Sequence, residues 1–192
     1  MPHYSDAVAT AKTPAQSWIQ AGLRALADGG PDAVRVEALA ASLGVSKGGF
    51  YWHFSGRDDL LTRMLDTWEQ TVVDDVIEYV EGRGGDARAR LRRLFGLALA
   101  ATDIPESLGA ELAIRDWARR DPAVAVRLRG LDERRMAYMR GLYGQLTEDP
   151  IDVEARALET YALLVGGYFI AAQHGDLSRA EVVQRAFERL LA

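Results

Sequence analysis

The stretch GVSKGGFYWHF, residues 44–54, places Gly48 and Gly49 in what reads as one helical turn and follows them with four aromatic rings in five positions. A glycine inside a helix costs about 1 kcal/mol against alanine. A segment that is weak as a helix and rich in rings is not ordinary core. It suits a place where the backbone must approach something closely and rings must be presented to it. Ser46 stands where an N-cap belongs, and Val45 and Phe50 hold the positions of a hydrophobic staple around that cap. Phe50 and Phe54, four apart, share a face that can dock on neighbouring helices. Tyr51 and Trp52 are the informative pair, because a core needs only one face.

Working outward, VEALAASLG (residues 36–44) predicts a helix of about two turns with Val36, Leu39, Ala40 and Leu43 inward, ended by Gly44 at a positive φ. Thr13-Pro14 reads as an N-cap with proline at the first helical position. The helix that follows puts Trp18, Ala21 or Gly22, Ala25 and Leu26 on one face and stops at Gly29-Gly30-Pro31. Downstream, a fourth helix opens near Ser55, with Asp58 and Asp59 suited to its positive end. Its apolar period runs through Leu61, Met64, Leu65, Trp68, Val72, Val76, Ile77 and Val80 to Gly82. That predicts one rigid rod of some 24 residues, ~36 Å at ~1.5 Å per residue. Later helices are expected at about 86–101, 105–119, 122–145, 152–174 and 178–191. No convincing alternating strand, internal repeat or low-complexity tract is present, so the expected class is all-α.

The 192 residues suit one domain, or two small ones sharing a core. With 48% hydrophobic and 27% charged residues the chain reads as folded rather than disordered. Cysteine is absent, which excludes disulfides and thiolate metal sites. The first residues, MPHYSDAVATAK, hold no apolar run, and no stretch approaches a ~20-residue membrane span. A cytoplasmic protein with no membrane partner is expected. Net charge is −5, and the first sixty residues carry five basic side chains against six acidic ones. Any nucleic-acid binding must therefore rest on where a few basic residues sit.

Three short helices with a tight turn at LGVS form a helix-turn-helix arrangement. If the third helix enters the major groove, its first residues meet DNA. Gly48 and Gly49 then permit close approach, Lys47 supplies charge, and Tyr51, Trp52 and His53 offer ring edges and polar tips. Arg57 offers charge and a helix start to a phosphate. Such geometry also occurs in proteins that never touch DNA. The alternative is a helical ligand-binding or scaffolding dimer without DNA binding.

Residues 14–68 resemble the DNA-binding head of the TetR family of transcriptional repressors. The carrying residues are VRVEALAASLGVSKGGFYWHFSGRDDLL (34–61): a small helix ending in LG, then VS, the ring-rich FYWHF, and a basic residue before two acidic ones and Leu-Leu. The resemblance implies a homodimer on a palindromic double-stranded operator, with a C-terminal helical domain that binds a small apolar or amphipathic effector and releases the DNA. Ser46, Lys47, Gly48, Tyr51, His53 and Arg57 match positions that commonly touch DNA, and Trp52 sits at a variable position suited to sequence choice. Arg35 stands where the family has Thr or Ser. It cannot accept the capping hydrogen bond, though it can still meet a phosphate. The implied layout is a disordered arm at 1–12, a DNA-binding domain at 13–60 with its helix-turn-helix at about 35–54, and an effector-binding and dimerisation domain at 61–192.

For the effector pocket, rings with a few polar groups are needed, and Trp68, Phe95, Trp117, Tyr138 and Tyr161 are the candidates; each also reads as plain core. For the dimer, the last two helices present Tyr161, Val165, Tyr168, Phe169, Val183, Phe187 and Leu190. By the resemblance these helices pair with their copies, and otherwise they close the monomer's own core. His3, His53 and His174 lie far apart, no metal-ligand spacing appears, and GVSKGGF lacks the ending and preceding strand of a phosphate loop. Asp74, Asp75, Glu78 and Glu81 read as a solvated helix face. No enzyme, cofactor or metal is expected.

Overall fold

The computed structural model describes residues 13–102, 105–170 and 172–192. The expected arm at 1–12 lies outside them. The described residues form ten α-helices and no strand. The first four are α1 (Ala15–Gly29), α2 (Val36–Leu43), α3 (Lys47–Phe50) and α4 (Arg57–Glu69). They are followed by α5 (Asp75–Glu81), α6 (Ala87–Thr102) and α7 (Pro105–Ala118). The last three are α8 (Pro122–Tyr143), α9 (Pro150–Phe169) and α10 (Arg179–Leu190). A short 3-10 turn, Pro31–Ala33, links α1 to α2.

Local chemistry explains most boundaries. Gly44 sits at φ 67°, ψ 29°, the left-handed conformation that ends α2 and turns the chain into α3. Asp121 and Asp149 cap α8 and α9, accepting from backbone N–H groups ahead of a proline in the first turn. Two expected caps differ. Pro14 occupies the cap position of α1 rather than its first turn, and Ser46 makes no side-chain cap bond to α3. At the start of α4 it is Asp59, not Asp58, whose carboxylate accepts from the Ser55 backbone N–H at 2.9 Å.

The rod expected from Arg57 to Val80 is interrupted. A π-helical turn, Gln70–Asp74, separates α4 from α5. One inserted residue rotates the helix beyond it by about 100° at 3.6 residues per turn. Arg127 on α8 pairs with Asp66 (2.5 Å) and Glu69 (2.6 Å), and Arg134 pairs with Asp74 (3.2 Å), so α8 holds this turn on both sides.

Two apolar clusters fill the interior. The first joins Trp18, Leu26, Val34, Phe50, Phe54, Leu60, Met64 and Trp68 to Ile114 of α7 and to Val124 and Leu131 of α8. The division expected near residue 60 therefore crosses this core rather than separating two. Phe50 is its hinge: it stacks on Phe54 at 5.0 Å and meets Trp18 edge-on at 5.4 Å. The second cluster packs Leu91 and Phe95 of α6 against Met139, Leu142 and Tyr143 of α8, with Ala157, Phe187 and Leu191. The Phe95 and Phe187 rings lie 3.8 Å apart and nearly parallel, and the Tyr143 hydroxyl shares a buried 2.6 Å hydrogen bond with Thr160.

The crossing of α1 and α7 is close because Gly109 faces Ala27. A Cβ at residue 109 would stand 2.8 Å from the Ala27 Cβ. Gly130 on α8 faces open space. Gly109→Ala should lower stability in thermal denaturation, because overpacking costs typically ~1–3 kcal/mol and outweighs the helix-propensity gain. Gly130→Ala, where only that gain applies, should raise it by up to about 1 kcal/mol. Equal shifts in both variants would contradict the close crossing.

Candidate nucleic-acid interface and ligand cavity

The α2–α3 unit divides the sequence candidates into an outward face and a set of internal ties. Phe50 and Phe54 are buried, so the other rings of the run point out: Tyr51 is 63% exposed and Trp52 is 74% exposed. Arg35, Ser46, Lys47 and Gly48 are exposed beside them. A Cβ on Gly48 or Gly49 would meet nothing nearer than 3.6 Å and 3.8 Å, so packing within the chain does not demand glycine at either place. Lys47 pairs with Glu37 across the turn, and hydrogen bonding from Lys47 holds the Glu37 carboxyl below its ordinary value.

His53 and Arg57 are placed differently from the sequence expectation. The His53 Nε2 lies 2.8 Å from the Thr13 carbonyl oxygen and ties the end of α3 to the start of α1. Arg57 Nε donates to the Val34 carbonyl at 2.7 Å, and its guanidinium also donates to the Pro31 carbonyl. These bonds hold the α1–α2 link against the start of α4. The guanidinium is thus engaged within the head, with its side chain still 38% exposed. Arg35 precedes α2 without any side-chain cap bond, as its chemistry requires.

A cavity of about 270 Å³ opens between the π turn, α5, α6, α7, α8 and α9. Its walls are chiefly aliphatic, among them Val72, Val76, Ile77, Leu94, Leu97 and Leu164, with Glu111, Arg135, Tyr138 and Tyr161 supplying polarity. Of the five ring candidates, Tyr138 and Tyr161 line it. Trp68 and Phe95 are instead buried in the first and second clusters, and Trp117 packs against the first. Periodicity marks all five as inward, but cannot say which inward residues meet a void.

The polar end of the cavity is a four-charge network that the sequence reading missed. Arg135 forks onto Glu111 with both contacts at 3.1 Å. Arg115 donates to Glu111 at 2.8 Å and forks onto Asp132 at 2.9 and 3.2 Å. The Tyr161 hydroxyl accepts from Arg115 and Arg135 and donates to Asp132. Burial, helped by the bond to Asp132 and opposed by the two guanidiniums, pushes the Tyr161 hydroxyl up to about 12. Glu111 is only 5% exposed, so its charge is tolerable only with these partners. The available signal was the spacing of Glu111 with Arg115, and of Asp132 with Arg135, inside otherwise apolar helices. At the other end, burial and then a 2.7 Å bond to Glu81 raise the Tyr138 hydroxyl.

The dimer candidates also sort by face. Phe187 is fully buried against Phe95, Val183 and Leu190 pack on the same cluster, and Tyr161 and Val165 line the cavity. These five face the chain's own interior. Phe169 is 64% exposed, and the side chain of Tyr168 lies outside those described. The outward apolar stripe of α9 is Ile151, Leu158 and Phe169, with Ala155 and Ala162 exposed between them. Spacings of 7 and 11 residues return to one helix face.

Among the described residues no helix is long and apolar enough to cross a membrane, and no cluster of three or more potential metal ligands occurs. Residues 19–64 match the sequence model of the bacterial regulatory proteins, tetR family. An uncharacterized HTH-type transcriptional regulator of Bacillus subtilis (strain 168) is 43% identical over 51 residues, which are 27% of this chain and 23% of that protein's own length. Among solved structures, a transcriptional regulator from Pseudomonas aeruginosa PAO1 superposes with a TM-score of 0.72 at 24% identity, covering 92% of this chain and 88% of that one. A regulator from Saccharomonospora viridis, solved in complex with choline, superposes with a TM-score of 0.73 at 19% identity, covering 92% and 93%. The α2–α3 unit thus lies inside a segment that matches the tetR family of bacterial regulatory proteins, and the helical body has the fold of these regulators.

Proposed function

We propose that this protein is a transcriptional repressor that binds a palindromic operator as a homodimer and is released by a small apolar or amphipathic effector. The observation that carries the DNA-binding part is the face formed by Arg35, Ser46, Lys47, Gly48, Tyr51 and Trp52. Two large rings stay in solvent beside basic and backbone donors, although the adjacent Phe50 and Phe54 are fully packed. Lys47 and Arg35 meet phosphates, the glycines allow the backbone close, and Trp52 contributes to sequence choice. His53 and Arg57 act by holding the head together. The second copy covers the Ile151–Leu158–Phe169 stripe, and the effector occupies the cavity beside the π turn.

Gel shifts and fluorescence titrations with the DNA flanking the protein's own gene test this reading. Tyr51→Ala and Trp52→Ala should weaken binding while leaving the melting temperature unchanged. Arg57→Ala should lower the melting temperature, since it frees two carbonyls. No binding to that DNA by the wild type would favour the ligand-binding or scaffolding alternative.

Glu37→Gln should strengthen DNA binding, because Lys47 no longer leaves a carboxylate when it turns to a phosphate. Lys47→Ala should weaken binding and flatten its salt dependence by ~0.9 in log–log slope. A weaker Glu37→Gln complex would refute the competition between carboxylate and phosphate.

Leu158→Glu should give a monomer in light scattering and lose operator affinity, since a charge on the α9 stripe cannot be buried unpaired. Retention of the dimer would exclude that stripe as the interface.

A further inference from the structure

The cavity also carries information about the chemistry of what fills it. Resting on the reading of this cavity as the effector site, we infer that the ligand is an electrically neutral molecule with an aliphatic body and one hydrogen-bonding head, such as an alcohol, ketone or amide.

Charge arithmetic at the polar end leads there. Glu111 and Asp132 are balanced by Arg115 and Arg135, so the network closes at zero net charge. A carboxylate ligand would need a guanidinium edge to itself. The Arg135 edge is taken by both oxygens of Glu111, and the Arg115 edge by both oxygens of Asp132. Displacing either acid would leave a carboxylate unpaired in a largely buried site, the costly half of a broken ion pair. A cationic head fares no better. Recognition of an ammonium group wants open ring faces, and the two lining rings are Tyr138 and Tyr161. The Tyr161 ring already has the Arg115 and Arg135 guanidiniums each 6.0 Å from its centroid. A further cation would meet two like charges before it met the ring.

A neutral head meets neither obstacle. Arginine carries five N–H donors and a carboxylate oxygen two lone pairs. The bonds Arg135 makes to Glu111 and Tyr161 use three of those donors, and Glu111 Oε2 accepts from Arg135 Nη2. The pair therefore retains both donor and acceptor capacity for an O–H, C=O or N–H. The body of the ligand is set by Val72, Val76, Ile77, Leu94, Leu97 and Leu164. At ~30 Å³ per water-sized unit, the cavity takes a body on the order of ten non-hydrogen atoms.

A matched alkyl series tests this on the intact wild-type protein: decan-1-ol, decanoate and decyltrimethylammonium, titrated by intrinsic tryptophan fluorescence and by thermal shift. Decan-1-ol should bind at least about tenfold more tightly than either charged analogue, the expected scale for an uncompensated buried charge. Val76→Phe, which fills the aliphatic end, should abolish that binding. Glu111→Gln leaves the network with one surplus positive charge and should turn the preference toward decanoate. Decanoate or the ammonium binding as tightly as the alcohol in the wild type would overturn the inference, as would no binding by any of the three. Decan-1-ol that binds in the cavity yet leaves operator binding intact would instead refute the effector reading and leave the ligand class standing. A charged analogue that binds best and releases the DNA would do the reverse.

Discussion

The crossing of α1 over α7 is the constraint on which the rest of the molecule depends. It brings Gly109 against Ala27 at a distance no side chain would tolerate, and it lets one apolar cluster run from Phe50 in the head to Ile114 and Leu131 in the body. Because α1 contributes Trp18 and Leu26 to that cluster, the head is not tethered by α4 alone. Any motion of the body relative to α2 and α3 must pass through a packed interface as well as along a helix. Packed interfaces shift between discrete arrangements rather than flexing smoothly.

The π turn at Gln70–Asp74 decides how α4 can take part. A continuous rod would carry a tilt at its far end straight to the head. The observed helix instead changes phase at residues 70–74, where Val72 and Val73 turn toward the cavity wall while Asp66, Glu69 and Asp74 are gripped by arginines of α8. The inserted residue thus lets one helix serve two partners: its first half faces the head core through Leu61, Met64 and Trp68, and its second half faces the cavity through Val76 and Ile77.

Much of the all-α layout was legible in the sequence, and the reason is local. Gly44, the Phe50–Phe54 spacing, the proline-bearing starts of α8 and α9 and the apolar periods are short-range signals, and each appears in the fold where the spacing put it. The misplacements share another cause. Tyr161 and Val165 lie on the apolar period of α9, but periodicity does not say whether an apolar face meets the chain's own interior or a second molecule. Ile151, Leu158 and Phe169 on another face were the exposed set. Trp68 and Phe95 failed as cavity residues because a void is a property of several helices together, and no single helix encodes it. Arg57 illustrates the same limit at one side chain: its carbonyl partners lie 23 and 26 residues upstream, beyond any local pattern.

The electrostatics of the head follow from how few free cations it has. Arg57 is committed to backbone carbonyls, and Lys47 to Glu37. A head with net acidic composition and its central lysine already paired gains little from DNA as a mere polyanion, since non-specific affinity grows with each phosphate neutralised. On the proposed operator-binding reading, its discrimination would come from contacts that depend on fit: exposed rings against base edges and methyl groups, and a backbone made slim by glycine. The Lys47–Glu37 pair sharpens this further. In the proposed complex, Lys47 would turn to a phosphate only where the surrounding contacts repay the loss of its carboxylate partner. On a poorly matched sequence the ion pair would persist, and Glu37 would stay at the surface to repel the duplex. On that reading, a head with no net positive charge would trade general affinity for selectivity.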